Sequence, residues 1–124
     1  MKSWDTNFLV RHIVVDDVTQ SAIVLRELEK NAPIWLFNVT LVETFWVLTD
    51  VFNVPKKEVF DFFDALLMDP RFRFEPTFPQ ALHNAKKRGD LPEHIIAQTA
   101  RAAGALPTQT FDKALKVFPE FEVR

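Results

Sequence analysis

The absences of cysteine and tyrosine and the scarcity of glycine narrow the possible chemistry of this chain. Without cysteine it has no disulfide, thiolate zinc site or cysteine nucleophile. The 13 phenylalanines and absent tyrosine leave most aromatic surface without a polar group, as suits a core or an interface. Two glycines cannot form a glycine-rich phosphate loop. The few serines lack a nucleophile elbow, and the three histidines lack the paired spacing of zinc ligands.

The remaining composition is that of an ordinary folded protein. Of 124 residues, 48% are hydrophobic and 26% are charged, which predicts one domain spanning residues 1–124. The net charge of -2 does not indicate nucleic-acid binding, and the basic run at residues 86–88 is either a solvated helix end or a phosphate contact. The first five residues lack the apolar core of a signal peptide, and residues 31–42 are too polar to span a bilayer. We therefore expect a cytoplasmic protein that is not in a membrane.

Apolar residues recur at helical intervals in five segments of the chain. The first predicted helix follows a cap at Asp16 or Asp17 and has an apolar stripe made of Val18, Ala22, Leu25 and Leu28. The other four stripes lie within residues 41–52, 59–66, 81–85 and 95–103. Gly89 and Gly104 predict two helix ends, because glycine accepts the left-handed backbone that often follows a helix.

Short extended segments alternate with these helices. The strongest is residues 34–39 (IWLFNV), which is rich in strand-forming residues and follows a proline. Weaker candidates are residues 1–4, 105–110 and 121–123, and residues 71–74 are ambiguous. Strands that alternate with helices predict an α/β protein with a mainly parallel sheet.

Several acidic residues fall where a predicted strand gives way to a helix. They are Asp5, Glu43 and Asp112, together with Asp90 or Glu93. The carboxyl ends of parallel strands share one edge of a sheet, so these acids can meet although they are far apart in sequence. Clustered carboxylates repel one another unless a hard divalent cation binds them. Such a cation activates water and stabilises charge on phosphate, and the pattern predicts metal-assisted phosphodiester hydrolysis.

The same acids have a purely structural interpretation. Thr40 and Glu43 have the spacing of a helix capping box, and so do Asp90 and Glu93. Asp112 is a candidate N-cap for the residues that follow it. Carboxylates at helix N-termini are also favoured by the helix dipole. Spacing alone therefore leaves capping and catalysis open.

Local sequence shifts this balance towards catalysis, because four segments in order resemble the acidic motifs of PIN (PilT N-terminus) domains. The segments are residues 4–12 (WDTNFLVRH), 41–48 (LVETFWVL), 89–97 (GDLPEHIIA) and 110–113 (TFDK). Residues 16–21 (DDVTQS) also resemble a continuation of the first motif that is common in VapC-like toxins. The ordered set covers nearly the whole chain.

The resemblance implies a three-layer α/β/α fold around a central, mainly parallel sheet of four to five short strands. It also implies a Mg²⁺- or Mn²⁺-dependent ribonuclease, the toxin of a toxin–antitoxin pair, with an antitoxin partner and a homodimer. The implied catalytic and metal-binding acids are Asp5, Glu43, Glu93 and Asp112, with Asp90 as a supporting metal ligand and Asn7 and Thr110 as polar residues that orient them. Glu93 departs from the family pattern, which usually has aspartate at this position, and Asp90 matches an acid three residues earlier.

Two other functions remain open at this stage. The altered third motif favours a PIN-like module that binds RNA or protein with weak or no catalysis. A nuclease that acts in RNA processing or on DNA, outside any toxin pair, is a further possibility. Phe60, Phe62 and Phe63 cannot all lie on one side of a helix, so they predict either an interface or a fully buried helix.

Overall fold

The computed structural model describes all residues, Met1–Arg124, and contains six α-helices and five short strands. The chain divides into an N-terminal unit, Met1–Pro76, and a C-terminal unit, Thr77–Arg124. All strand pairs are parallel, so the predicted α/β class with a mainly parallel arrangement is confirmed. The strands form a three-stranded and a two-stranded sheet, and the three-layer arrangement around one central sheet stays a prediction. No helix combines the length and the apolar character needed to cross a membrane.

The N-terminal unit contains a parallel sheet and four helices. The strands are β1 (Lys2–Ser3), β2 (Ile34–Leu36) and β3 (Phe72–Phe74), and β2 lies in the middle. The helices are α1 (Thr6–Ile13), α2 (Val18–Asn31), α3 (Asn38–Trp46) and α4 (Lys56–Met68), with a π-helical turn at Val47–Val51 after α3. Ile34 and Leu36 of the central strand are completely buried, and they place the core of this unit against β2.

Helix α2 begins where the sequence predicts, but it buries a different side. The Asp17 side chain accepts a hydrogen bond from the Gln20 N–H at 3.0 Å, which identifies Asp17 as the cap. Of the predicted apolar stripe only Leu28 is buried, because Val18 is 78% and Leu25 is 51% exposed. Ala22 is also exposed, and the buried side is formed by Val24 and Leu28.

The predicted strand at residues 34–39 is too long. Strand β2 ends at Leu36, and α3 begins at Asn38. The carboxylate of Glu75, just after β3, accepts the N–H of Asn38 at the first turn of α3. A carboxylate at a helix N-terminus satisfies a free N–H and suits the helix dipole, so tertiary structure overrides the strand propensity of this segment.

Helix α4 answers the question raised by its three phenylalanines. Phe60 and Phe63 are buried, together with Val59 and Leu66, as the predicted stripe requires. Phe62 is 38% exposed on the other side. The helix is therefore buried on one wide face and is not fully enclosed.

The C-terminal unit pairs two helices with a small sheet. Its elements are α5 (Phe78–Lys87), α6 (Leu91–Ala102), β4 (Thr108–Thr110), a 3-10 turn (Lys113–Val117) and β5 (Phe121–Val123). Helices α5 and α6 pack against each other, and the two glycines follow them as predicted. Gly89 has a φ of 86°, and a Cβ there would lie 3.0 Å from the Phe118 ring, so both the backbone and the close approach require glycine.

Candidate functional site

Asp5 lies where β1 gives way to α1. Its carboxylate is exposed and accepts the N–H of Phe8 at 3.1 Å, so Asp5 is the N-cap of α1. The preceding residue, Trp4, is buried, and its ring lies 5.6 Å from Phe8 and 5.5 Å from Phe72 between centroids. The buried Trp4 anchors the chain, and Asp5 is presented at the carboxyl end of the strand.

Glu43 reaches the same junction from α3. The hydroxyl of Thr6, the residue after Asp5, donates to Glu43 Oε1 at 3.2 Å. One turn earlier in α3, the Thr40 hydroxyl donates to the carbonyl oxygen of Trp4 at 3.3 Å. These two bonds hold α3 against the β1–α1 junction, so Glu43 lies near the segment that carries Asp5.

The capping-box interpretation of Thr40 and Glu43 is wrong. Thr40 lies inside α3 and its hydroxyl bonds to Trp4, so neither residue closes the helix N-terminus. Glu43 is in the second turn of α3, with an exposed side chain. Its carboxylate therefore has no capping role.

Asn7 belongs to the first turn of α1, but its exposed side chain does not orient an acid in this structure. It makes no hydrogen bond to Asp5 or Glu43. It lines a groove of about 260 Å³ between α1 and α2, beside Arg11 and Gln20.

In the C-terminal unit, Asp90 and Glu93 open helix α6. Asp90 is the N-cap, and Glu93 Oε1 accepts the Asp90 N–H at 2.9 Å in a capping box. The capping interpretation of this pair is confirmed. Burial raises the pKa of the Glu93 carboxyl above its usual value, because the charged form loses solvation.

Asp112 also has a capping role, at the start of the 3-10 turn. Its carboxylate accepts the N–H of Ala114 at 2.9 Å, which confirms the predicted cap. The Asp112 N–H donates to the hydroxyl of Thr110 at 3.0 Å, so Thr110 at the end of β4 fixes the backbone that carries this acid. Phe111 between them is 86% exposed.

Neither unit by itself contains a group of three or more histidine, aspartate or glutamate side chains arranged to hold a metal ion. No protein-family model and no curated protein matches this chain. The donor chemistry at the β1–α1 junction nevertheless suits a hard cation, since Asp5 and Glu43 supply carboxylate oxygens close to the Thr6 hydroxyl. That Glu93, Asp90 and Asp112 share a metal with them stays a prediction.

Sequence reasoning missed a cavity of about 520 Å³ beside Asp5, in the N-terminal unit. Glu27 and Asn31 of α2 line it, and their spacing of four residues is the only sequence signal that places them on one side of a helix.

It also missed His12, whose ring lies 5.7 Å from Trp4 and 5.4 Å from Phe72. Burial lowers the pKa of His12, and the Arg71 guanidinium lowers it further. His12 is the last residue of the first motif, but nothing in its local sequence indicates that it is partly buried.

Proposed function

We propose that this protein is a metal-dependent endoribonuclease of the PIN type, with the three-layer fold that its motifs imply. The observation that carries the proposal is the pairing of Asp5 and Glu43 at the carboxyl end of β1, where Thr6 follows one acid and hydrogen-bonds the other. Ligands of open α/β proteins bind at the carboxyl ends of strands, and the carboxylates of Asp5 and Glu43 are both exposed there.

Asp5 and Glu43 are the residues that would hold Mg²⁺ or Mn²⁺, and Glu93, Asp112 and the supporting Asp90 are the candidates from the C-terminal unit. The cation would supply charge stabilisation for a phosphodiester and a water of lowered pKa. The chain itself orients the acids. Thr6 holds one oxygen of Glu43, and the Phe8 N–H holds one oxygen of Asp5, so each carboxylate keeps its second oxygen for a ligand.

The proposal includes a toxin role in the cytoplasm, with an antitoxin and a homodimer as partners. Exposed apolar side chains support a protein-binding surface, since Val18 and Leu25 of α2 and Val39 and Trp46 of α3 face solvent. A small antitoxin-like reading frame beside this gene would support the toxin role. Its absence favours a nuclease that acts in RNA processing or on DNA.

The test is cleavage of RNA by purified protein with and without added Mn²⁺ or Mg²⁺. Wild type is compared with Asp5→Asn and Glu43→Gln, and Glu29→Gln serves as the control because Glu29 is an exposed acid of α2. Cleavage that needs metal and is lost in the first two variants supports the enzyme. Equal activity in Asp5→Asn and wild type identifies a contaminant and contradicts the proposal.

The second candidate is a PIN-like module that binds RNA or protein without cutting. It is favoured by the capping bonds of Glu93 and Asp112, which account for both residues without any catalysis. A folded protein that retards RNA in a gel but cleaves none with either metal would select this alternative.

A further inference from the structure

The cavity beside Asp5 is lined by both apolar and polar side chains. It is lined in part by Lys2, Asp5, Phe8, Glu27, Asn31 and Ile34, all within the N-terminal unit. Its volume of about 520 Å³ lies in the range of small-molecule sites, and a few polar groups converge on it. It adjoins the junction proposed above to hold the metal, so a ligand in it would extend to that junction.

The polar wall is a fixed pair of side chains on α2. Asn31 Nδ2 donates to Glu27 Oε2 at 2.6 Å and to the Glu27 carbonyl oxygen at 3.1 Å. These two bonds use both amide hydrogens of Asn31. The atoms left for a ligand are Glu27 Oε1 and Asn31 Oδ1, which are both acceptors. The wall therefore suits a ligand edge with two neighbouring N–H donors.

The apolar wall suits a flat ring. Phe8 is half-buried and lies against the buried Trp4, so its orientation is restrained while part of its surface stays accessible. Ile23, which is 40% exposed, adds an accessible apolar side chain to the lining. Unstacked bases of single-stranded RNA are recognised by stacking on aromatic side chains and by hydrogen bonds to their Watson–Crick edges.

The rim of the cavity carries groups that suit a phosphate. Lys2 supplies an ammonium group, and Asp5 belongs to the proposed metal site. A nucleotide with its base against Phe8 and Glu27 would thus have a cation available for its phosphate.

We propose that this cavity is a nucleobase subsite that selects guanine in single-stranded RNA, an inference that rests on the ribonuclease function proposed above. Guanine alone among the four bases has two neighbouring donors, N1–H and the 2-amino group, on its Watson–Crick edge. These donate to Glu27 Oε1 and Asn31 Oδ1. Adenine and cytosine offer a donor beside an acceptor, and uracil offers one donor between two acceptors. An arginine side chain also offers paired donors, but it has no phosphate for Lys2 to bind, so the lining favours a nucleotide.

Binding of the four nucleoside 5′-monophosphates to the full chain, without metal, tests the subsite by calorimetry or amide chemical-shift changes. We expect GMP to bind about tenfold more tightly than AMP, CMP or UMP. Glu27→Gln should abolish this preference, because an amide donor then competes for the position of Oε1. Glu29→Gln on the same helix is the matched control and should keep it. Phe8→Leu should weaken all four nucleotides alike and preserve the order of affinities.

Equal affinity for the four nucleotides, or the same preference in Glu27→Gln as in Glu29→Gln, would overturn the guanine subsite. An arginine-containing dipeptide that displaces GMP and binds more tightly would also overturn the guanine subsite, because it would assign the cavity to a peptide. Selective GMP binding by a protein that cleaves no RNA would refute the proposed ribonuclease function but not the guanine subsite. Metal-dependent cleavage of RNA by a protein that does not prefer GMP would refute the guanine subsite but not the ribonuclease function.

Discussion

Glu93 is the acid whose structural and catalytic roles can be separated most cleanly by mutation. Its Oε1 accepts the Asp90 N–H in a capping box, and glutamine accepts the same bond through its amide oxygen. Glu93→Gln therefore keeps the cap and removes the charge, whereas Glu93→Ala removes both. Loss of a cap costs about 1 kcal/mol, which corresponds to a melting temperature lower by about 4 °C in a chain of this size.

The charge of Glu93 does not stabilise the folded state. Because burial raises the pKa of its carboxyl, the folded protein holds the proton more tightly than the unfolded chain. The resulting stabilisation is present below the ordinary pKa of about 4.5 and is lost as pH rises through the folded value. At pH 7 glutamine should thus be tolerated at least as well as glutamate.

The assay combines thermal unfolding at pH 7 with the rate of Mn²⁺-dependent RNA cleavage. We expect Glu93→Gln to melt within about 1 °C of wild type and to cleave at least about tenfold more slowly, the low end of effects seen at metal sites. Glu58→Gln is the matched control, since Glu58 is exposed in the first turn of α4. Wild-type cleavage by Glu93→Gln would refute a catalytic role and leave Glu93 as a cap.

Three further predictions concern the folding of the N-terminal unit and are checked by chemical denaturation. Burial lowers the pKa of His12, so the stability that this residue contributes is complete above its ordinary pKa of 6.5 and decreases as pH falls through the folded pKa. His12→Gln should therefore make unfolding less sensitive to acid, whereas His83→Gln on the surface should not. Thr44→Val should stabilise the protein by about 1 kcal/mol, because the buried Thr44 hydroxyl has no hydrogen-bond partner, and a loss of stability would contradict that reason. Phe63→Ala should lower the free energy of unfolding by about 3–5 kcal/mol, because the Phe63 side chain is fully buried. Phe62→Ala should lower it by less than about 1 kcal/mol, and similar losses in the two variants would refute the assignment of the buried face.

Helix positions were the more predictable part of the fold, because local signals determine them. Asp17 closes α2 through its own side chain, and Gly89 follows α5 with the positive φ that the sequence indicates. The start of α3 depends on Glu75, which lies 37 residues from Asn38 along the chain, so no local pattern predicts it. The buried side of α2 was missed for a related reason, since tertiary packing selects Val24 over Leu25.

For the candidate site, sequence reasoning placed residues at strand ends but could not supply their contacts. It predicted that Asp5 and Glu43 would approach each other, and the structure shows a hydrogen bond to Glu43 from Thr6, the residue after Asp5. The wall formed by Glu27 and Asn31 depends on which side of α2 faces β1, and that is a result of packing. The motifs named Thr110, which bonds to the backbone of Asp112, but they did not name Thr6, which bonds to Glu43.

The failed capping prediction for Glu43 strengthens the case for catalysis. A carboxylate in the first turn of a helix is favoured by the dipole whether or not it binds a metal, so Glu93 is ambiguous even when its geometry is known. Glu43 lies in the second turn of α3, and Glu75 already satisfies an N–H group at the start of that helix. The Thr6 hydroxyl donates to the Glu43 carboxylate, which stays exposed near the β1–α1 junction. Glu43 therefore does not cap α3, and its exposed carboxylate near the segment that carries Asp5 supports the metal site proposed above.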